Sequence, residues 1–208
     1  MFAPGASRYL GAGAAVLLFL ALLPVVRAVP LSVPFASVLG VGFALWLFFA
    51  AFFRDPERAV GDGVVSAADG RVRAVEREGN LWRVSVFMNV TNVHVNRFPV
   101  DARVTEVESG GAGFRPAFRS DADRNVHRRY RLATPLGSVE VVQFTGIFAR
   151  RLVSFVRPGS SGRKGDRIGM IVFGSRVDVF LPAERATPVV NVGDRVRAGT
   201  SSIARESS

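Results

Sequence analysis

With 208 residues and a formal charge of +10, the chain can hold one domain with a core plus accessory segments, and is too short for two large domains. It has no cysteine and two histidines, His94 and His127, which removes disulfides and thiolate chemistry and argues against a zinc or iron site built on imidazole. The positive charge is almost wholly arginine, whose planar fork suits phosphate-bearing partners, but no basic helix or aromatic-lined run points to nucleic acid.

Residues 1–53 carry two charges, Arg8 and Arg27, and all 17 acidic residues follow them. Two apolar stretches, about 9–26 and 29–53, are each long enough to cross ~30 Å of hydrocarbon as helices. Arg27 to Pro30 leave room only for a tight turn between them. The expectation is a membrane anchor over 1–53, an N-terminal hydrophobic helical hairpin with both ends on one side. Arg8, Arg54 and Arg58 at those ends, against Arg27 in the turn, assign that side to the cytoplasm of a cell membrane. A cleaved signal peptide fits less well, because the first apolar run is long and a second follows at once.

From 54 to 208 the chain is a series of short alternating runs: RVRAVE (71–76), LWRVSVF (81–87), DARVTEVE (101–108), RRYRLAT (128–134), SVEVVQF (138–144), RIGMIVF (167–173) and SRVDVFL (175–181). Period-two alternation at this length predicts half-buried strands. Asp69-Gly70, Glu78-Gly79-Asn80, Gly110-Gly111 and Pro135-Leu136-Gly137 are the breakers between them. The fold class expected is mainly β, a β-rich sandwich or barrel-like domain. FARRLVSFV (148–156) fits either a short helix, with Phe148, Leu152 and Phe155 on one face, or a buried strand.

Gly174-Ser175 interrupts the strand-like run from 167 to 182, and by spacing alone such a pair is a bulge or a tight bend. The surrounding motifs say more. FFRDPER (52–58), VVSAADGRV (64–72), VFMNVTNVHVNRFP (86–99), FARR (148–151) and FGSRVDVFLP (173–182) occur in an order that resembles the small type of phosphatidylserine decarboxylase. FAPGASRY (2–9) and the RPAF…DADRN stretch (115–125) are most similar to its archaeal branch, the archaetidylserine decarboxylases.

That resemblance implies a proenzyme that cuts itself between Gly174 and Ser175, giving a long chain of 1–174 and a short chain of 175–208 that remain together as a heterodimer. Ser175 then becomes a pyruvoyl group, the only cofactor implied, which forms a Schiff base with the amine of a serine-headed membrane lipid. Archaetidylserine is the substrate favoured by the resemblance, with phosphatidylserine the alternative. A serine hydroxyl needs a base and an orienting partner, and the matching segments supply His94 and Asp69. Two positions depart from the family pattern: Ala67 stands where proline is usual, and Arg97 where some relatives have a second histidine. His94 is therefore either the base for cleavage or a substrate ligand. Arg97, Arg150 and Arg151 are cationic candidates for the lipid phosphate. The single lysine, Lys164, lies in a glycine-rich stretch and argues against pyridoxal phosphate.

A reading of another class comes from NVGDRVRAGTSSIA (191–204), whose cadence resembles biotinyl and lipoyl carrier domains. It would make the chain a membrane-tethered carrier or adaptor without catalysis. Such carriers need a modifiable lysine at a hairpin tip, and Lys164 does not lie in one.

Overall fold

The computed structural model describes residues 1–24, 32–113, 124–146, 151–172 and 175–207, with residue 175 described by its backbone. The chain divides into two units, Met1–Pro56 and Glu57–Ser208.

The first unit holds α1 (Ala6–Leu22) and α2 (Val33–Phe52). Pro34 sits in the opening turn of α2, where a missing N–H removes no helical hydrogen bond, and Pro24 follows the end of α1. The helices run antiparallel. The Trp46 indole donates to the Leu10 carbonyl at 2.9 Å, and a Cβ on Gly13 would come within 3.1 Å of the same ring. At the open end the Ala3 N–H donates to Phe53 O and the Asp55 N–H to Met1 O, both at 2.8 Å. The turn expected at Arg27 to Pro30 lies outside the described residues. With 20 residues, α2 is about 30 Å long, a membrane's hydrocarbon thickness; α1, with 17, reaches about 26 Å and is the shorter. Phe19, Val33, Val38 and Val41 are all more than half exposed, a surface that suits lipid better than water.

The second unit is built from strands: β1 (Val64–Val65), β2 (Gly70–Glu78), β3 (Leu81–Met88), β4 (Val95–Arg97), β5 (Ala102–Gly110), β6 (His127–Thr134) and β7 (Gly137–Thr145), then β8 (Arg151–Ser154), β9 (Ser161–Gly162), β10 (Arg167–Val172), β11 (Ser175–Pro182), β12 (Ala186–Pro188), β13 (Arg195–Val196) and β14 (Ser202–Glu206). The described residues of the seven alternating runs fall in strands, save Asp101, which just precedes β5; residue 173 lies outside the described residues. Within 148–156, residues 151–154 form β8, so of the two readings the strand holds there; 147–150 lie outside the described residues.

An eight-stranded antiparallel sheet has the order β13-β2-β3-β11-β7-β6-β5-β9, and two three-stranded sheets have the orders β4-β10-β8 and β1-β14-β12. The sheets are open, with β13 and β9 as the edges of the largest, so the barrel-like alternative gives way to a layered arrangement. Alternation explains the layering. Val177, Val179 and Leu181 of β11 enter the core with Val84 and Val86 of β3 and Val139 and Val141 of β7, and the small sheets add Ile168, Ile171 and Ile203 to the same cluster. Gly70 has φ 150°, and a Cβ there would stand 2.1 Å from the Phe87 carbonyl oxygen, so only glycine lets β2 approach β3 this closely.

Residues 175–207 are threaded through the whole unit. They supply β11, hydrogen-bonded between β3 and β7 in the large sheet, its edge strand β13, and both β12 and β14 of a small sheet.

Candidate active site

β10 ends at Val172 and β11 begins at Ser175, so two residues separate a strand of a small sheet from an inner strand of the large one. Ser175 lies opposite Met88 on β3 and opposite Thr145 on β7, and this double ladder fixes its backbone. Gly174 lies outside the described residues.

His94 immediately precedes β4 and is buried, at 1% exposure. Its carbonyl accepts the Ile171 N–H at 3.2 Å, which ties it to β10 next to the end that leads to Ser175. Its Nδ1 is 2.9 Å from the Asn92 carbonyl oxygen. A carbonyl only accepts, so Nδ1 carries the proton in the neutral ring and Nε2 is the basic nitrogen.

Arg151 opens β8 opposite Val172 and is exposed, which makes it a cationic group beside the same strand end. Arg97 ends β4 and is buried, and its Nη1 donates to the Gly165 carbonyl at 2.8 Å. Arg150 lies outside the described residues. His127, at the start of β6, has its Nδ1 3.0 Å from the Asn125 carbonyl and its ring centroid 5.5 Å from that of Phe144.

Asp69 ends the Ser66–Asp69 turn just before β2, a turn fastened to β4 by the Arg97 N–H donating to Ala67 O at 2.9 Å. Both Asp69 oxygens accept from the Arg58 guanidinium, Nη2 to Oδ2 at 2.9 Å, and Oδ1 also accepts the Ala198 N–H at 2.8 Å. None of its hydrogen bonds runs to His94. Arg71 on β2 is opposite Phe87 and Ser175 is opposite the next β3 residue, Met88, so Asp69 stands two strand spacings from residue 175, about 10 Å. The structure thus brings His94, Arg151 and Ser175 to the ends of β10 and β11, and Asp69 clamps residue 198 of the C-terminal segment to Arg58.

Replacing Asp69 by asparagine keeps the shape and removes the charge from this clamp. The expected cost is about 1.5–3 kcal/mol, the range for hydrogen bonds to charged groups. For a chain of this size Tm then falls by about 3–12 °C. Thermal melting of the full chain in detergent checks it, and an unchanged Tm would mean that the pair contributes nothing.

Four residues important to the geometry escape a reading by motif. The Asn96 Nδ2 is 3.6 Å from the Met88 sulfur, its Oδ1 accepts from Gln143 Nε2 at 2.7 Å, and the Gln143 Oε1 accepts from the Tyr130 hydroxyl at 3.1 Å. Asn96, Gln143 and Tyr130 are fully buried. They join the small sheet of β4 to the two strands that flank β11. A Cβ on Gly169 would lie 2.7 Å from the Tyr130 hydroxyl oxygen, so glycine leaves room for the bridge. Burial pushes the Tyr130 phenol up, against opposing hydrogen bonds from Ser154 and Arg128, and keeps it a neutral donor. Asn125, also fully buried, donates to the Thr145 carbonyl at 2.8 Å. The sequence signals are Asn96 within VHVNRFP, Asn125 at the end of DADRN and a glutamine interrupting the apolar run of β7.

The profile of the phosphatidylserine decarboxylase family matches residues 45–204. A phosphatidylserine decarboxylase proenzyme of Thermobifida fusca is 46% identical over 165 residues, covering 78% of this chain and 76% of its own. A putative archaetidylserine decarboxylase proenzyme of Halobacterium salinarum is 46% identical over 169 residues, 79% of this chain and 84% of its own. A protein of the same description from Methanosarcina mazei is 38% identical over 208 residues, 98% of this chain and 96% of its own.

Proposed function

We propose that this chain, a decarboxylase that belongs to the phosphatidylserine decarboxylase family, is a proenzyme that cuts itself at Gly174-Ser175 and then decarboxylates a serine-headed membrane phospholipid. The observation that carries this reading is the meeting of His94, Arg151 and Ser175 at the ends of β10 and β11, with the His94 carbonyl bonded to the Ile171 N–H and the Ser175 backbone held on both sides.

In the proposed cleavage the Ser175 hydroxyl attacks the Gly174 carbonyl and His94, through Nε2, takes the hydroxyl proton. The acyl group passes from nitrogen to oxygen, which frees the amine of residue 175. Elimination then expels the Gly174 carboxylate, and hydrolysis of the remaining dehydroalanine consumes one water and releases one ammonia. A glycine at 174 tolerates the backbone geometry that such an attack requires. Asp69 acts by keeping the Ser66–Asp69 turn and residue 198 in place.

The pyruvoyl ketone left at residue 175 supplies an electron sink for the pair released as CO₂ departs. The residues around it fit such a group: the strand that carries it is bonded on both sides, and the neighbouring Met88 is held by Asn96. Arg151 meets the lipid phosphate, and His94 holds a proton close to the reacting carbon. Archaetidylserine and phosphatidylserine differ in their tails and share every atom that reacts, so a comparison of kcat/KM on the two lipids ranks them. The helical hairpin keeps the second unit at the membrane, on the cytoplasmic side by the arginine pattern.

Intact mass spectrometry of the purified chain tests the cleavage. Two species are expected, one ending at Gly174 and one beginning at residue 175 that is lighter than the serine-terminated peptide by one ammonia. A single full-length mass in a preparation that decarboxylates lipid would sink the proposal.

A further inference from the structure

β11 carries two buried charges on the face away from Val177, Val179 and Leu181. Arg176 is 6% exposed and Asp178 is fully buried. The Arg176 guanidinium carbon lies 4.2 Å from the centroid of the Phe144 ring, and its Nε is 3.0 Å from the Asp178 Oδ1. Asp178 accepts a hydrogen bond from the Ser85 hydroxyl and is 3.7 Å from an Arg83 nitrogen. Ser85 is on β3 and Phe144 on β7, the two neighbours of β11, so the pair fastens this strand to both.

Burying an ion pair in a sheet is a poor way to gain stability, because apolar residues of similar volume commonly do as well. The best-attested use of such pairs is to fix register. Along the apolar face of β11, Val177 and Val179 face valines of β3, so a shift of two residues would keep apolar opposite apolar. The polar face does not allow it, because Asp178 would leave Ser85 and Arg176 would leave Phe144. Such a shift would carry residue 175 about 7 Å along the sheet. Fraying would do similar harm, since chain ends are poorly ordered unless tied down.

We infer that Arg176 is a positioning residue for the mature enzyme: with Asp178, Ser85 and Phe144 it forms a clasp that holds residue 175 in register once the chain is cut before it. This rests on the cleavage at Gly174-Ser175 proposed above. In the intact chain the connection through 173–174 limits where residue 175 can go. After the cut, residue 175 is a terminus, and the residue next to it holds it by a ring contact on β7 and a charge network on β3. Loss of the clasp should leave cleavage intact and slow the chemistry, because a reacting group misplaced by an ångström already costs about 10²-fold.

The test uses full-length protein in detergent micelles with phosphatidylserine, comparing the original chain with Arg176→Met and Phe144→Leu. Methionine keeps the apolar stem of Arg176, and leucine keeps apolar volume while removing the ring. Three readouts are taken: the extent of cleavage by intact mass, kcat and KM separately, and hydrogen exchange of the amides of residues 176–178. The expected result is complete cleavage, a kcat reduced about 10- to 100-fold with KM within about twofold, and exchange at 176–178 faster by about tenfold or more while residues 103–107 of β5, which does not neighbour β11, exchange as before. Cleaved variants with full kcat and unchanged exchange would overturn the inference. If Arg176→Met is never cut, Phe144→Leu decides: cut and slow supports the clasp, cut and fully active overturns it, and uncut overturns it too, since the contact would then serve a step before scission. An original chain that decarboxylates lipid without being cut instead overturns the proposed function.

Discussion

Replacing Ser175 by alanine is expected to leave the chain whole and without decarboxylase activity. Alanine has no hydroxyl to attack the Gly174 carbonyl and cannot become a ketone, so cleavage and chemistry are lost together. The loss in kcat is expected on the scale of about 10⁶-fold, as when the nucleophile is removed from a catalytic triad. The substitution is mild for the fold, because the β11 ladder to Met88 and Thr145 is made by backbone groups that alanine retains. Intact mass and a lipid decarboxylation assay on the same sample check both halves. A variant that is still cut at 174/175 would show that another group is the nucleophile.

His94→Ala is expected to slow cleavage by about 10²- to 10⁴-fold, the usual contribution of a positioned general base. The imidazole presents Nε2 as its basic nitrogen because Nδ1 faces the Asn92 carbonyl. The contact that positions His94, from the Ile171 N–H to its carbonyl, belongs to the backbone and survives truncation of the side chain. Added imidazole should therefore restore part of the cleavage rate, measured as the appearance of the short chain over time. Normal cleavage with a depressed kcat would make His94 a substrate ligand and leave the base to be found elsewhere.

The long strands were legible in the sequence because each alternates over six or more residues, enough to show a period of two. The short ones were not. β1, β4, β9, β12 and β13 span two or three residues, too few for any periodicity, and they decide that the sheets stay open. Ser175 and His94 stand out as candidates because each sits inside an ordered motif. Asp69 stands out in the same way, but its ion pair does not, since Arg58 lies in FFRDPER with no pattern linking the two. Asn96 and Gln143 are 47 residues apart and meet only when β4 packs over β7. Arg176 and Asp178 read as ordinary outward polar positions of an alternating strand, and only their burial reveals otherwise.

The threading of residues 175–207 through both the large sheet and a small one bears on how such a protein can be made. A strand bonded on both sides cannot be added to a finished sheet without opening it, so this segment has to be incorporated during the first folding of the chain. While the connection at 173–174 is intact, that incorporation is intramolecular and favoured by a high effective concentration. Two separately synthesised pieces would have to find each other at cellular concentrations with their partner edges open to aggregation. The scission proposed at Gly174-Ser175 then belongs after folding in the order of biosynthesis, and the peptide bond it would remove has by that time completed its work as a tether.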